Sequence, residues 1–279
     1  RLSPVSLRAV RRLSRSGLSY EIHGRGYPCL TLHGGPGMSS TLWPALRPIA
    51  RDAQLVTYDH RGHGRSHGQV PLRGPLQRLA DDATRLLDEL EIRRADVLGH
   101  SNGGFIALHL ALRHPDRVRR LVLVDTAASG RFRPVSQRNA RERATPAILR
   151  ALDHLWSDRL ADDAAFGRAW RTVQPLYFHH PTSARLALAL RGIRFTLEAR
   201  RRILPTYRAY DLRARLGAIR APTLVAVGRF DWITPPGFAE ELAAGISRAR
   251  LVVFERSGHL PFIEERDRFA KAVGAFLRG

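Results

Sequence analysis

Lysine is all but missing from this chain. Lys271 is the only one, and every other member of its 46 lysines and arginines is arginine. Against 25 acids this leaves a formal charge of +21. A nucleic-acid-binding surface usually mixes both cations and interleaves aromatic side chains in one patch. Here the arginines run along the whole chain, denser at 11–15, 138–143 and 200–202. The charge therefore reads as a solvated surface bias, and no specific nucleic-acid partner is expected. Any attraction to anionic surfaces would weaken with salt.

Cysteine is equally scarce. Cys29 alone permits no intrachain disulfide and offers no metal-ligand spacing, which suits a reducing, cytoplasmic setting. As a small residue in an apolar run it reads as buried. No apolar run approaches the roughly 20 residues of a membrane span. The first fifteen residues are basic but lack the continuous apolar stretch of a secretory signal. The chain opens on Arg rather than Met, so its natural start stays open. Internal repeats and low-complexity tracts are missing too.

What is present is alternation. Strand-like runs fall at 18–23, 29–33, 54–59, 95–100, 120–125, 222–228 and 250–255, with helical patterns at 42–50, 75–90, 102–114, 238–246 and 266–277. The later strands read as continuous apolar stretches, as strands covered on both faces do. This predicts an α/β fold with a mostly parallel, eight-stranded type of sheet flanked by helices. The rhythm breaks from about 130 to 208, where amphipathic helical patterns occupy 147–156, 164–173 and 183–197. An inserted helical cap over residues 130–208 is the expectation, with 1–129 and 209–279 forming the core.

The chemistry centres on Gly99-His100-Ser101-Asn102-Gly103. Strand, G-x-S-x-G and helix in succession describe a sharp turn that lifts a serine hydroxyl above the sheet at a helix N-terminus. Small residues flank the serine because the turn is tight. A serine needs a base to remove its proton and an acid to orient that base. Asp231 follows the strand at 222–228, and His259 follows the strand at 250–255. The order Ser, Asp, His and the C-terminal strand-end positions suit a catalytic triad. Asp125, which also ends a strand, is the rival acid. His33-Gly34-Gly35-Pro36-Gly37 supplies a loop whose glycines bring N–H groups close to a substrate oxygen. The expected oxyanion donors are the N–H groups of Gly35 and Asn102, with His33 as a loop-holder. In Tyr58-Asp59-His60-Arg61-Gly62-His63-Gly64-Arg65-Ser66 the Asp–Arg pair suggests a buried polar turn. His60 and His63 lack the further ligands a metal site needs.

These four motifs, which follow one another along the chain as His33–Gly37, Asp59–Ser66, Gly99–Gly103 and Asp231 with His259, resemble the α/β-hydrolase fold family over nearly the whole length. Within it, the His-Gly-Gly-Pro-Gly loop and Gly-Arg-Phe-Asp231-Trp-Ile-Thr-Pro-Pro look like the proline iminopeptidase branch. That resemblance implies a helical cap, a Ser-His-Asp triad and release of N-terminal residues from short peptides, without metal or cofactor. The chain departs from the branch in three ways. Trp232 stands where relatives often carry a glutamate. The cap holds 16 arginines against six acids, Glu142, Asp153, Asp158, Asp162, Asp163 and Glu198. The Gly-His-Ser-Asn-Gly elbow is closer to esterases and lactonases. Gly34, Trp232, Trp170 and Glu198 are the candidate substrate-pocket residues. The reading is a serine hydrolase of a small-molecule or short-peptide acyl substrate, with an aminopeptidase and a non-catalytic hydrolase-fold receptor as alternatives.

Overall fold

Alternate residues along Leu121–Val124 project to opposite faces of a strand, and both sets are apolar, so this segment belongs in the middle of a covered sheet. In the computed structural model, which describes residues 11–40, 43–157 and 159–279, that is its place. The strands are β1 (Arg12–Leu13), β2 (Ser19–His23), β3 (Pro28–Leu32), β4 (Gln54–Tyr58), β5 (Ala95–His100), β6 (Val118–Val124), β7 (Thr223–Gly228) and β8 (Ala249–Phe254). They form one eight-stranded sheet in the order β1-β2-β4-β3-β5-β6-β7-β8. β1 and β2 pair antiparallel, as do β2 and β4; every other neighbouring pair is parallel. All six residues of β5 and of β7 are buried, as continuous apolar runs require.

The helices are α1 (Trp43–Leu46), α2 (Pro75–Glu89), α3 (Asn102–Arg113), α4 (Phe132–Arg143), α5 (Pro146–Trp156), α6 (Asp163–Val173), α7 (Ser183–Leu190), α8 (Leu197–Ile203), α9 (Pro236–Gly245), α10 (Pro261–Glu264) and α11 (Arg266–Arg278). One core joins Val97, Leu121 and Leu123 to residues of α2, α3 and α9. A second joins Leu98, Val122 and Val124 to Ile49 and to Phe269, Val273 and Leu277 of α11. The period-2 alternation of each strand thus feeds two layers of helix. α4 to α8 all lie between β6 and β7. They contribute a third cluster, Leu152, Leu155, Phe166 and Val173 among its members, which also takes in Trp232 from the loop after β7.

The expected strands recur with ends shifted by two residues or fewer, and β1 is an addition. It is two exposed residues long and carries no apolar signal. Two helices differ from expectation. Residues 43–51 form the four-residue α1 followed by a 3-10 turn, Arg47–Arg51, because Pro48 supplies no N–H to continue an α-helical ladder. The start of that expected helix, Leu42, lies outside the described residues, as do residues 1–10 and Asp158. The helix expected over 183–197 stops at Leu190, and α8 begins at Leu197. Gly192 adopts φ +72°, and the chain then runs extended so that Phe195 bridges Met38. Ser39 N–H donates to Arg194 O at 2.9 Å, and Thr196 N–H donates to Gly37 O at 2.7 Å. Tertiary main-chain pairing with the glycine loop overrides helix propensity there.

Candidate active site

Ser101 sits at the end of β5 with φ 53° and ψ −121°, a conformation an L-residue adopts only under constraint. Its N–H donates to Val124 O at 2.9 Å, and its carbonyl accepts from Thr126 Oγ1 at 2.9 Å. The helix that follows lies so close to β3 that a Cβ on Gly103 would overlap the Leu32 carbonyl oxygen. The glycine permits the approach, and the approach holds the turn.

His259 is carried on the loop after β8. Its main-chain N–H donates to Tyr177 O at 2.8 Å, and its Nδ1 lies 2.8 Å from Asp231 Oδ2. A carboxylate only accepts, so Nδ1 bears the proton and Nε2 is left with a free lone pair. Nε2 is buried and has no hydrogen-bond partner among the described residues. Asp231 is itself pinned: Oδ1 accepts from Ile233 N and Thr234 N at 2.8 and 3.2 Å, and Oδ2 accepts from Thr234 Oγ1 at 2.8 Å. Burial pushes its pKa up, but His259 and these donors outweigh burial and hold the carboxyl below the usual range. Asp125 also ends its strand beside this group. Its Oδ1 accepts from Gly228 N at 2.8 Å, whereas His259 Nδ1–H donates to Asp231.

The glycine loop closes the other side. Gly35 takes φ +69°, open to glycine without cost. A Cβ on Gly34 would come within 3.0 Å of Ser101 Cβ, so the loop passes directly over the serine. His33 holds it from beneath. His60 N–H donates to His33 Nε2 at 3.1 Å, which leaves Nδ1 to donate to Gly34 O at 2.9 Å. His60 Nε2 in turn donates to His33 O at 3.2 Å, and its Nδ1 accepts from Tyr58 OH at 3.2 Å. Burial keeps these rings neutral. It pushes His33 down to about 4, His63 to about 3 and His60 well below its ordinary value. Both nitrogens of His60 are used within this lattice, which leaves it none for a metal. Asp59 completes the turn by accepting from Ser40 N and Arg65 N at 2.6 and 2.9 Å.

Ser101, His259, Gly34, Gly35, Trp170 and Trp232 line one cavity of about 190 Å³. Asn102 stands next to it at the first turn of α3, buried, its Oδ1 accepting from Tyr207 OH at 2.7 Å. Glu198 corrects the sequence reading. It lies outside the cavity on an exposed face of α8 and pairs with Arg202 at 2.6 Å, because the buried stripe of that helix is Leu197, Ala199, Arg200 and Ile203. Glu142 is exposed as well. Sequence reasoning missed most of the wall. Phe132, Leu155, Trp156, Tyr177, Tyr207 and Arg200 all line it. The amphipathic patterns of 147–156 and 164–173 were signals for the first layer. Arg200, in a run of three arginines, carried none.

The family model for the α/β hydrolase fold matches residues 27–266. The chain is an α/β hydrolase. Among curated relatives, a putative carbamate hydrolase, RutD, of Rhizobium rhizogenes is 31% identical over 94% of this chain and 98% of its own. The 2-hydroxymuconate semialdehyde hydrolase of a Pseudomonas species is 32% identical over 96% of this chain and 93% of its own. Among solved structures, the enol-lactonase from Burkholderia xenovorans superposes with a TM-score of 0.74 at 27% identity, covering 97% of this chain and all of that one. This α/β hydrolase therefore shares fold and length with relatives named for different small substrates. No helix among its described residues is long and apolar enough to cross a membrane.

Proposed function

We propose that this α/β hydrolase is a serine hydrolase of small esters or lactones bearing a neutral or anionic acyl group, with Ser101, His259 and Asp231 as its triad. Ser101 Oγ attacks the acyl carbon while His259 Nε2 takes its proton. Asp231 stabilises the imidazolium so formed. The tetrahedral oxyanion receives the N–H groups of Gly35 and Asn102, each donor of this kind contributing about 10²–10³ in rate. On collapse the imidazolium returns its proton to the leaving oxygen. His259 then deprotonates a water that hydrolyses the acyl-enzyme, restoring Ser101. Residues 130–208 act as the cap that walls the acyl group from solvent.

The observation that carries the substrate class is the charge of the cavity wall. Arg133 and Arg200 line it, and no Asp or Glu does among the described residues. An aminopeptidase needs a carboxylate to hold the substrate's ammonium group. Glu198 and Glu142 point elsewhere, and Trp232 fills the position after Asp231. Aromatic walls and two guanidinium groups favour a neutral or anionic acyl chain. The relatives' names, a carbamate, a semialdehyde and an enol lactone, support a small-molecule substrate, and the last of them a lactone. Assay of p-nitrophenyl butyrate beside proline p-nitroanilide tests the class. The ester is expected to be turned over and the anilide not; strong preference for the anilide would overturn the reading. In the same assay Ser101→Ala is expected to abolish turnover.

A further inference from the structure

Two carboxyl groups, not one, stand behind His259. Oxygens of Asp125 and Asp231 and a ring nitrogen of His259 all lie within 4.8 Å of one another, and all three residues are buried. Asp125 is held there against its backbone preference, at φ 45°, by main-chain and side-chain bonds. Its N–H donates to Ala226 O at 2.9 Å, and its Oδ1 accepts from Gly228 N at 2.8 Å. Strain maintained at a buried polar residue needs surrounding structure that over-determines it.

Two neighbouring carboxylates in so dry a site cannot both ionise. The donors decide which one does. Asp231 accepts from two main-chain N–H groups, the Thr234 hydroxyl and His259, whereas Asp125 accepts from Gly228 alone. No N–H or O–H of the described residues donates to Asp125 Oδ2. The charge therefore belongs to Asp231 and the proton to Asp125. Burial first, then the Asp231 charge, raises the Asp125 pKa well above the carboxylate range. The other charged neighbour is Glu264 of α10, which reinforces that rise; His100, packed against His259, is kept neutral because burial pushes it down to about 3.

Resting on the triad reading above, we propose that Asp125 is a second positioning acid for His259, carrying a proton while Asp231 is ionised and taking over the Nδ1 hydrogen bond when Asp231 is removed. The gap is small. An Asp125 oxygen lies within 4.8 Å of a ring nitrogen of His259 and of an Asp231 oxygen, so removal of the Asp231 carboxyl opens a short path from Asp125 to the imidazole. With that like charge gone, Asp125 releases its proton to solvent and faces Nδ1–H as the anion.

The experiment compares Asp231→Ala, Asp231→Ala/Asp125→Asn and Ser101→Ala, each checked for folding by thermal melting, for kcat on p-nitrophenyl butyrate from pH 5 to 10. Asp231→Ala is expected to lose about 10- to 100-fold, and the double variant about 10⁴-fold, as a base without its acid does. The single variant should also show a kcat that rises with pH as Asp125 ionises, an inflection missing from the double variant. Equal rates in the single and double variants at every pH would overturn the proposal. If the double variant does not fold, the proton spectrum of Asp231→Ala decides. A low-field Nδ1–H resonance that disappears on acidification supports Asp125, and its absence at every pH overturns it. Turnover surviving in Ser101→Ala would instead break the triad reading, whatever Asp125 does.

Discussion

The Tyr207 hydroxyl donates to Asn102 Oδ1 at 2.7 Å, so the helical segment between β6 and β7 grips the residue that follows Ser101. Both side chains are buried. Tyr207→Phe leaves the amide oxygen without its donor, and Asn102 Nδ2 has no partner to compensate. The expected cost is about 1–2 kcal/mol of stability, read as a melting point lower by roughly 2–8 °C. A fall in kcat with little change in KM should accompany it, because the N–H of Asn102 is a proposed oxyanion donor. Unchanged melting and kcat would show that the contact holds nothing.

Packing of α3 on β3 gives a sharper contrast between two glycines. Gly103→Ala places a methyl on the Leu32 carbonyl, whereas nothing lies within 4 Å of a Cβ on Gly237 in α9. Gly103→Ala is expected to prevent recovery of folded protein. Gly237→Ala should stabilise by about 0.4–1 kcal/mol through the unfolded chain, measured by urea melting. A folded, active Gly103→Ala would contradict the account of the elbow.

Much of this site was legible because each part has a local signature. G-x-S-x-G names its own turn, and Asp231 and His259 stand directly after apolar strands whose ends share one sheet edge. The helix expected over 183–197 was not legible. Its break depends on main-chain bonds to Gly37 and Ser39, more than 150 residues away, and only Gly192 hints at it locally. Glu198 was misplaced for a related reason: which face of a short helix turns inward is set by neighbours that the sequence does not name. Asp125 and Asp231 both read as strand-end acids, and the direction of His259 Nδ1 and the donors around each carboxyl separate them.

Acid stability follows from the buried histidines. His33 and His109 are pushed down to about 4, and His63 and His100 to about 3, chiefly by burial. In the unfolded chain they titrate near 6.5. Between those values the unfolded state binds more protons, so stability is fully present above about pH 6.5 and declines as the pH falls toward 4. Urea melts at pH 7, 6 and 5 should show that decline. His109→Gln, on α3 away from Ser101, should flatten the slope by up to one proton. A slope unchanged by His109→Gln would contradict the assignment.

Charge selectivity follows from Arg133 and Arg200 in the wall. Matched p-nitrophenyl esters of a monoanionic, a neutral and an ammonium-bearing acyl chain should give kcat/KM highest for the first two. The ammonium ester is expected to fall behind by on the order of tenfold, equivalent to about 1.4 kcal/mol. Added salt should narrow the gap. A preference for the ammonium ester would reverse the substrate class.

The central claim is that Ser101 carries the acyl group. Intact-protein and peptide mass spectrometry after treatment with a fluorophosphonate tests it most directly. The account predicts a single adduct on the peptide containing Ser101, formed in step with loss of esterase activity and missing from Ser101→Ala. An adduct on a different residue, or esterase activity that survives full labelling of Ser101, would contradict it.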